Sequence, residues 1–258
     1  MASPGEFRIG SGAKTMEIEG RVALVTGASK RIGRALAIRL AEEGMDVAVH
    51  FRNSAAEARQ VVARIEESGR RAVALQADLD APGGEEALIE GAARLGPVRV
   101  LINNASRFLP SSAHESQAED LEREFRLHVT APFLLSRAFA TRISPGESGR
   151  IINLLDWRAS MPAPDTLPYS LAKSGLLHLT RNLAVAFGPD VTVNGVAPGT
   201  ILPPAEGGGN HLEEAANRLP LGGPGEVEDV LLACLYLIRD ANYTTGSVIP
   251  VDGGKHLQ

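Results

Sequence analysis

The sequence predicts an α/β fold, a doubly wound parallel sheet of seven strands with helices on both faces. Three observations predict it. From residue 21 onward, short runs rich in Val, Ile and Ala alternate with helical patterns, and strands of that composition are buried on both faces by crossover helices. A glycine-bearing turn joins the first run to the first helical pattern. No composition break and no repeat of solenoid length interrupts residues 19–258, so that span reads as one domain, large enough to bury a core without disulfide staples.

The elements follow in order. Val22–Thr26 is the first strand, and the helix after it runs through Arg39 and Leu40 to Gly44. Val47–Phe51 is the second strand and Ala55–Ser68 the helix after it. Ala72–Gln76, Val98–Ile102 and Arg150–Leu155 are further strands with helices between them. Two helices, Ala118–His128 and Ala131–Ile143, separate the fourth strand from the fifth. A long helical pattern covers Pro168–Phe187, then a strand at Val191–Val196, a helix at Glu226–Arg239 and a last strand at Gly246–Val251. The stretch Leu202–Leu221, with Gly207, Gly208 and Gly209 in a row, is long for a connection and is expected to form a lid.

A net charge of -5 argues against nucleic acid as a partner, since such proteins show a basic face. The single cysteine, Cys234, excludes an intrachain disulfide and falls in an apolar run where a small buried residue is expected. No stretch approaches the ~20 apolar residues that cross a bilayer, so no membrane is expected as a partner. Residues 1–18, rich in Gly and Ser at their start and without an apolar signal core, read as a disordered or vector-derived extension. A cytoplasmic location follows by default.

The first turn, Thr26-Gly27-Ala28-Ser29-Lys30-Arg31-Ile32-Gly33, has the chemistry of a pyrophosphate site. Glycines let the backbone approach the phosphates, and the helix N-terminus offers amide donors and positive potential. Gly27, Ser29, Lys30, Arg31, Ile32 and Gly33 are therefore candidate cofactor residues. The second strand ends in His50-Phe51-Arg52-Asn53-Ser54, with no acid to hold ribose hydroxyls. Arg52 suits a ribose 2′-phosphate instead, with His50 and Ser54 in support and Phe51 and Asn53 between them, so NADPH is the expected cofactor. No metal is expected.

Tyr169-Ser170-Leu171-Ala172-Lys173 opens a helix, and its i,i+4 spacing sets the phenol and the ammonium on one face. A phenol ionises near pH 10, and a neighbouring ammonium is expected to lower that value so that the pair can pass a proton to a reacting atom.

With these motifs, Asn103-Asn104-Ala105-Ser106, Pro198-Gly199 and Val251-Asp252-Gly253-Gly254 make the chain resemble the short-chain dehydrogenase/reductase family over residues 20–257. The resemblance implies a Rossmann-type fold. It implies cofactor contacts from Asp78, Leu79, Asn104, Ala105, Ser106, Tyr169, Lys173, Pro198 and Gly199, and a homotetramer. Asn103 and Asn104 would also tie neighbouring strands together.

Three departures point to the pteridine reductase branch: Arg31 for the middle glycine, Asp156 where most members have Ser, and Ser106-Arg107-Phe108. A His-x-Arg-x-Ser segment ends the second strand in that branch, as here. This match implies a substrate site of Arg31, Ser106, Phe108, Asp156 and Tyr169, with Phe108 stacked on a pterin. Asp156 would accept hydrogen bonds from an amidine-like edge or, protonated, donate to a ring nitrogen; capping its strand or pairing with Arg158 is the plainer role. The expected activity is NADPH-dependent reduction of a C=N bond in a dihydropterin or dihydrofolate, with Asp156, Tyr169 and Lys173 catalytic. A carbonyl reductase such as a 3-oxoacyl thioester reductase is the alternative. His128 stands where the family usually has the Asn that orders a water relay behind the lysine. It could carry a proton in turn or be a core residue.

Overall fold

The computed structural model describes residues 16–202 and 217–258. Seven strands form one sheet: β1 (Val22–Val25), β2 (Asp46–Phe51), β3 (Ala72–Gln76), β4 (Val98–Asn103), β5 (Gly149–Leu154), β6 (Val191–Pro198) and β7 (Val248–Val251). Their order is β3-β2-β1-β4-β5-β6-β7, and every pair is parallel. The fold is therefore the expected Rossmann-type one. The order reverses between β1 and β4, and in such sheets the crevice beyond the strand ends at that point receives the ligand.

The helices are α1 (Arg31–Glu42), α2 (Ala55–Glu67), α3 (Glu85–Ala93), α4 (Ala118–Phe125), α5 (Ala131–Ala140), α6 (Leu167–Phe187) and α7 (Val227–Arg239). Because strand side chains alternate in direction, each strand feeds two cores. Ala23, Val25, Val47, Val49, Val100 and Ile102 pack with Leu36, Leu40, Val61, Ile65 and Val230 of α1, α2 and α7. Val22, Leu24, Leu101, Ile151 and Val193 pack with Leu88, Ile89, Leu135, Phe139 and Leu183 of α3, α5 and α6. Cys234 is buried in the first core.

Three expectations change. Met16 and Ile18 are buried in the first core, and the Met16 amide donates to the Arg239 carbonyl, so the folded chain reaches back into the stretch 1–18. The two helices expected between the fourth and fifth strands are joined without a break through a π-helical turn, Arg126–Thr130, which carries His128. Such turns often mark functional sites. The last strand begins at Val248, because Gly246 turns with φ of 73°. The central part of the expected lid, 203–216, lies outside the described residues. Among the described residues no helix is long and apolar enough to cross a membrane.

Candidate active site

The turn after β1 is locked to the loop after β4. Asn104 donates its side-chain amide to the carbonyls of Thr26 (2.8 Å) and Gly27 (3.2 Å). The Thr26 hydroxyl accepts the backbone amides of Asn104 and Ala105, both at 2.9 Å. The approach is so close that a Cβ on Gly33 would collide with the Gly27 carbonyl and the Asn104 amide. Asn103 donates to Asn153 (2.8 Å), which donates to Thr180 (2.9 Å), so these amides tie β4, β5 and α6 together as expected. At the first turn of α1 there is no side-chain cap and no acid, which leaves its amides and positive end for an anion. Arg31 keeps the left-handed backbone of the glycine it replaces, with φ of 55°. That conformation costs a non-glycine residue about 1–2 kcal/mol, and strain of this kind collects at functional sites.

Around the expected ribose site the residues divide. Arg52 and Asn53 are exposed and Ser54 half-buried at the start of α2. Arg52 reaches Asp80 at 2.7 Å. Asp78 is exposed and receives the Asp80 amide at 3.0 Å. Three expected contacts change because their side chains point inward. Phe51 lies in the first core and Leu79 in the second, leaving only backbone for a ligand. His50 is 2% exposed. Its Nδ1 accepts the Gly27 amide at 3.0 Å and its Nε2 donates to the Ala77 carbonyl at 3.1 Å. Burial pushes the imidazole down to about 4, so it is neutral and braces the phosphate turn from behind. Ser29 is also turned inward, and Lys30 pairs with Glu57 at 2.8 Å.

At the chemical end, Arg31, Ile32, Asn104, Ser106, Asp156, Tyr169, Lys173, Pro198 and Gly199 share one cavity of about 220 Å³. A larger cavity of about 460 Å³, between Gly222–Gly225 and Asp252–His256, shares only Ile201 with it and holds none of the expected catalytic groups. Tyr169 donates to Asp156 at 3.1 Å. Asp156 also caps the turn after β5 through the Arg158 amide (2.9 Å) and meets the Arg158 guanidinium (3.2 Å), so it fills its plainer roles as well. Lys173 is buried, donates to the Leu154 carbonyl at 2.8 Å, and has its Nζ 5.6 Å from the Tyr169 ring centre. Burial brings it down to about 8.

The expectation of a lowered tyrosine does not hold for this geometry. Burial first, and then the charge and hydrogen bond of Asp156, raise Tyr169 well above the usual phenol range, outweighing Arg158 and Ser106. The phenol therefore keeps its proton at neutral pH, as a proton donor must. Phe108 meets the Tyr169 ring edge-on at 5.1 Å, and Arg158 covers it at 5.0 Å, so a planar ligand would compete with that guanidinium for the ring.

His128 stands edge-on to Tyr169 with ring centres 5.3 Å apart. It belongs to a row the sequence did not announce. Asp80 receives both Arg52 and Arg107 (2.6 Å), and Arg107 reaches Glu124 (2.7 Å). Glu124 meets His128 Nδ1 at 3.0 Å, and His128 Nε2 meets the Ser106 hydroxyl at 3.0 Å. The i,i+4 spacing of Glu124 and His128 was the one local signal for it.

A short chain dehydrogenase family model matches residues 21–211. The 3-oxoacyl-(acyl-carrier-protein) reductase of Synechocystis sp. is 35% identical over 91% of this chain and 96% of its own. The structure of FolM alternative dihydrofolate reductase 1 from Brucella suis, in complex with NADP, superposes with a TM-score of 0.89 at 33% identity, covering 94% of this chain and 97% of that one. A blue fluorescent protein from a metagenomic library, in complex with NADPH, gives a TM-score of 0.85 at 38% identity over 93% of this chain and 99% of that one.

Proposed function

The chain belongs to the short-chain dehydrogenase/reductase family of NAD(P)-dependent oxidoreductases, and on that premise we propose that it reduces a C=N bond of a dihydropterin or dihydrofolate with NADPH. The observation that carries this reading is Asp156 beside the Tyr169 hydroxyl, at 3.1 Å. A carboxylate there accepts the N–H donors of an aminopyrimidine edge and repels the oxygen of a ketone or thioester carbonyl. The likeness to the Brucella suis reductase supports the same substrate class.

A bound dihydronicotinamide supplies the hydride. Tyr169, buried and holding its proton, gives it to the ring nitrogen next to the carbon that is reduced. Asp156 holds the substrate's donor edge and, with Lys173, fixes where the phenol points. Seating the ring between Phe108 and the cofactor would supply the orientation on which rate depends. Choice of NADPH rests on Arg52, half-exposed at the end of β2 with no acid beside it in sequence. The homotetramer belongs to the same proposal, supported by exposed Phe125, Phe133 and Leu171 along α4, α5 and α6.

Loss of NADPH absorbance on adding dihydrobiopterin, dihydromonapterin or dihydrofolate tests the reading. Rapid oxidation with one of these, slower with NADH, and reduced by Asp156→Ser, is the expected result. Reduction of an acetoacetyl thioester in their place would establish the second reading, which the likeness to the Synechocystis enzyme favours.

A further inference from the structure

We infer that Arg158 sets which substrate the site admits: its guanidinium stands in for an aminopyrimidine edge against Asp156 and Phe108, and only a planar ligand with N–H donors of its own displaces it. The inference rests on the reading of Asp156 and Phe108 as the substrate's partners. A guanidinium and an aminopyrimidine edge are both flat N–C–N groups that donate hydrogen bonds, so one can hold the place of the other.

Arg158 already makes the two contacts proposed for the substrate ring. Its Nη1 lies 3.2 and 3.3 Å from the two Asp156 oxygens, and the guanidinium carbon stands 5.0 Å from the Phe108 ring centre. Asp156 does not depend on the guanidinium for its own position. The Arg158 backbone amide donates to Oδ1 at 2.9 Å and the Tyr169 hydroxyl to Oδ2 at 3.1 Å, so the acceptor stays in place when the side chain leaves. The side chain is lightly held. Its Nε and Nη2 make no hydrogen bond among the described residues, the Trp157 ring centre lies 4.5 Å from the guanidinium, and 24% of the side chain is exposed. The cavity that Asp156 lines, about 220 Å³, must take a nicotinamide as well as a substrate, yet a small-molecule site alone usually has ~300–1,000 Å³. Neither Phe108 nor Arg158 lines it, and withdrawal of the guanidinium would open the Phe108 face to it.

Binding is then an exchange. The departing guanidinium gives up a charged hydrogen bond and an aromatic face, and it leaves behind a carboxylate whose side chain is only 17% exposed. A carboxylate stripped of both partner and water is unfavourable. An aminopyrimidine returns donors to Asp156 and a flat face to Phe108, which offsets both losses. A ketone or thioester carbonyl brings an acceptor and no donor, so Arg158 stays where it is. Selectivity comes from what the wrong ligand cannot replace.

The test follows binding, not turnover. Calorimetry with saturating NADP+ measures 2,4-diaminopyrimidine on the parent protein and on Arg158→Met, which keeps the reach of the side chain and removes its donors. The variant should bind it more tightly by about tenfold or more, the strength of one hydrogen bond to a charged group. An Arg158 that only supports the fold would give the opposite sign. Trp157 is the only tryptophan, so its emission in the parent should change on binding as the guanidinium leaves the indole. Unsubstituted pyrimidine, flat but without amino donors, should leave that emission unchanged. Variant affinity weaker than the parent's or within about twofold of it, a margin small against the expected gain, overturns the role of Arg158 and leaves the substrate reading standing. Silent Trp157 emission at saturation, or an equal response to both pyrimidines, does the same. Binding of 2,4-diaminopyrimidine to neither protein overturns the substrate reading, and the inference with it.

Discussion

His50 and His128 lie in the two halves of the site, and both imidazoles are pushed down to about 4, first by burial. Their wiring differs. His50 is held entirely by backbone, between the Gly27 amide and the Ala77 carbonyl. His128 is held on one side by a carboxylate and on the other by a hydroxyl. The nucleotide half is thus built from backbone geometry, with a neutral histidine as a brace. The chemical half is built from side chains whose protons can move. Two groups that titrate alike need not work alike, and what each touches decides its use.

The largest effect should come from emptying the chemical half of its proton. Tyr169→Phe removes the acid and should lower turnover by about 10²–10⁴. NADPH affinity, measured by fluorescence titration, should fall by no more than the one hydrogen bond the phenol could give the cofactor, about 0.5–1.5 kcal/mol, since the phosphate turn and Arg52 are untouched. A parallel loss of NADPH affinity would show that the halves are not separable.

Acid should strain both halves alike. From pH 6.5 down to about 4 the unfolded chain binds protons at His50 and His128 that the folded chain excludes. Stability therefore rises with pH across that window, is complete above it, and is lost as pH falls through it. A depression from 6.5 to about 4 corresponds to about 3 kcal/mol at each residue. Thermal melts between pH 7 and pH 4.5 should show this loss, and His50→Asn or His128→Asn should each remove about half of it. If one substitution removes all of it, the likeness between the two histidines is false.

The nucleotide half has its own lever. Arg52→Ala should weaken NADPH, through KM, by about 10- to 100-fold, which matches the 1.5–3 kcal/mol of hydrogen bonds to a charged group. NADH and kcat should barely change. Because Arg52 already pairs with Asp80 at 2.7 Å, the phosphate must displace an ion pair, which pushes the loss toward the lower end. Loss of kcat instead would mean that the row through Asp80 and Arg107 ties Arg52 to the chemistry.

The same contrast explains what the sequence disclosed. Strands announce themselves by composition, and Gly27, Gly33, Tyr169 and Lys173 by fixed spacing, because backbone turns and helix faces are local. The inward set of Phe51 was legible too, since Val47, Val49 and Phe51 alternate onto one face. Asp80, Arg107 and Glu124 were not legible, because isolated charges in loops and on helices read as solvated surface until the fold brings them together. The raised proton affinity of Tyr169 was hidden for a related reason: it depends first on burial and then on Asp156, which together outweigh Arg158 and Ser106.

The smallest effect is the sharpest test of the backbone half. Arg31 occupies a left-handed conformation, with φ of 55°, at the position where the family motif has glycine. Arg31→Gly removes about 1–2 kcal/mol of strain but adds about 0.4–1 kcal/mol of unfolded-chain freedom. The net gain should be about 1 kcal/mol or less, a rise in Tm of about 2–4 °C at most for a domain of this size. The variant should bind NADPH and substrate more weakly, because a cation leaves the rim of the cavity. A fall in Tm would mean that the Arg31 side chain stabilises the fold by more than its backbone costs. A rise in Tm with weaker binding would show that the strain is kept for the charge it places there.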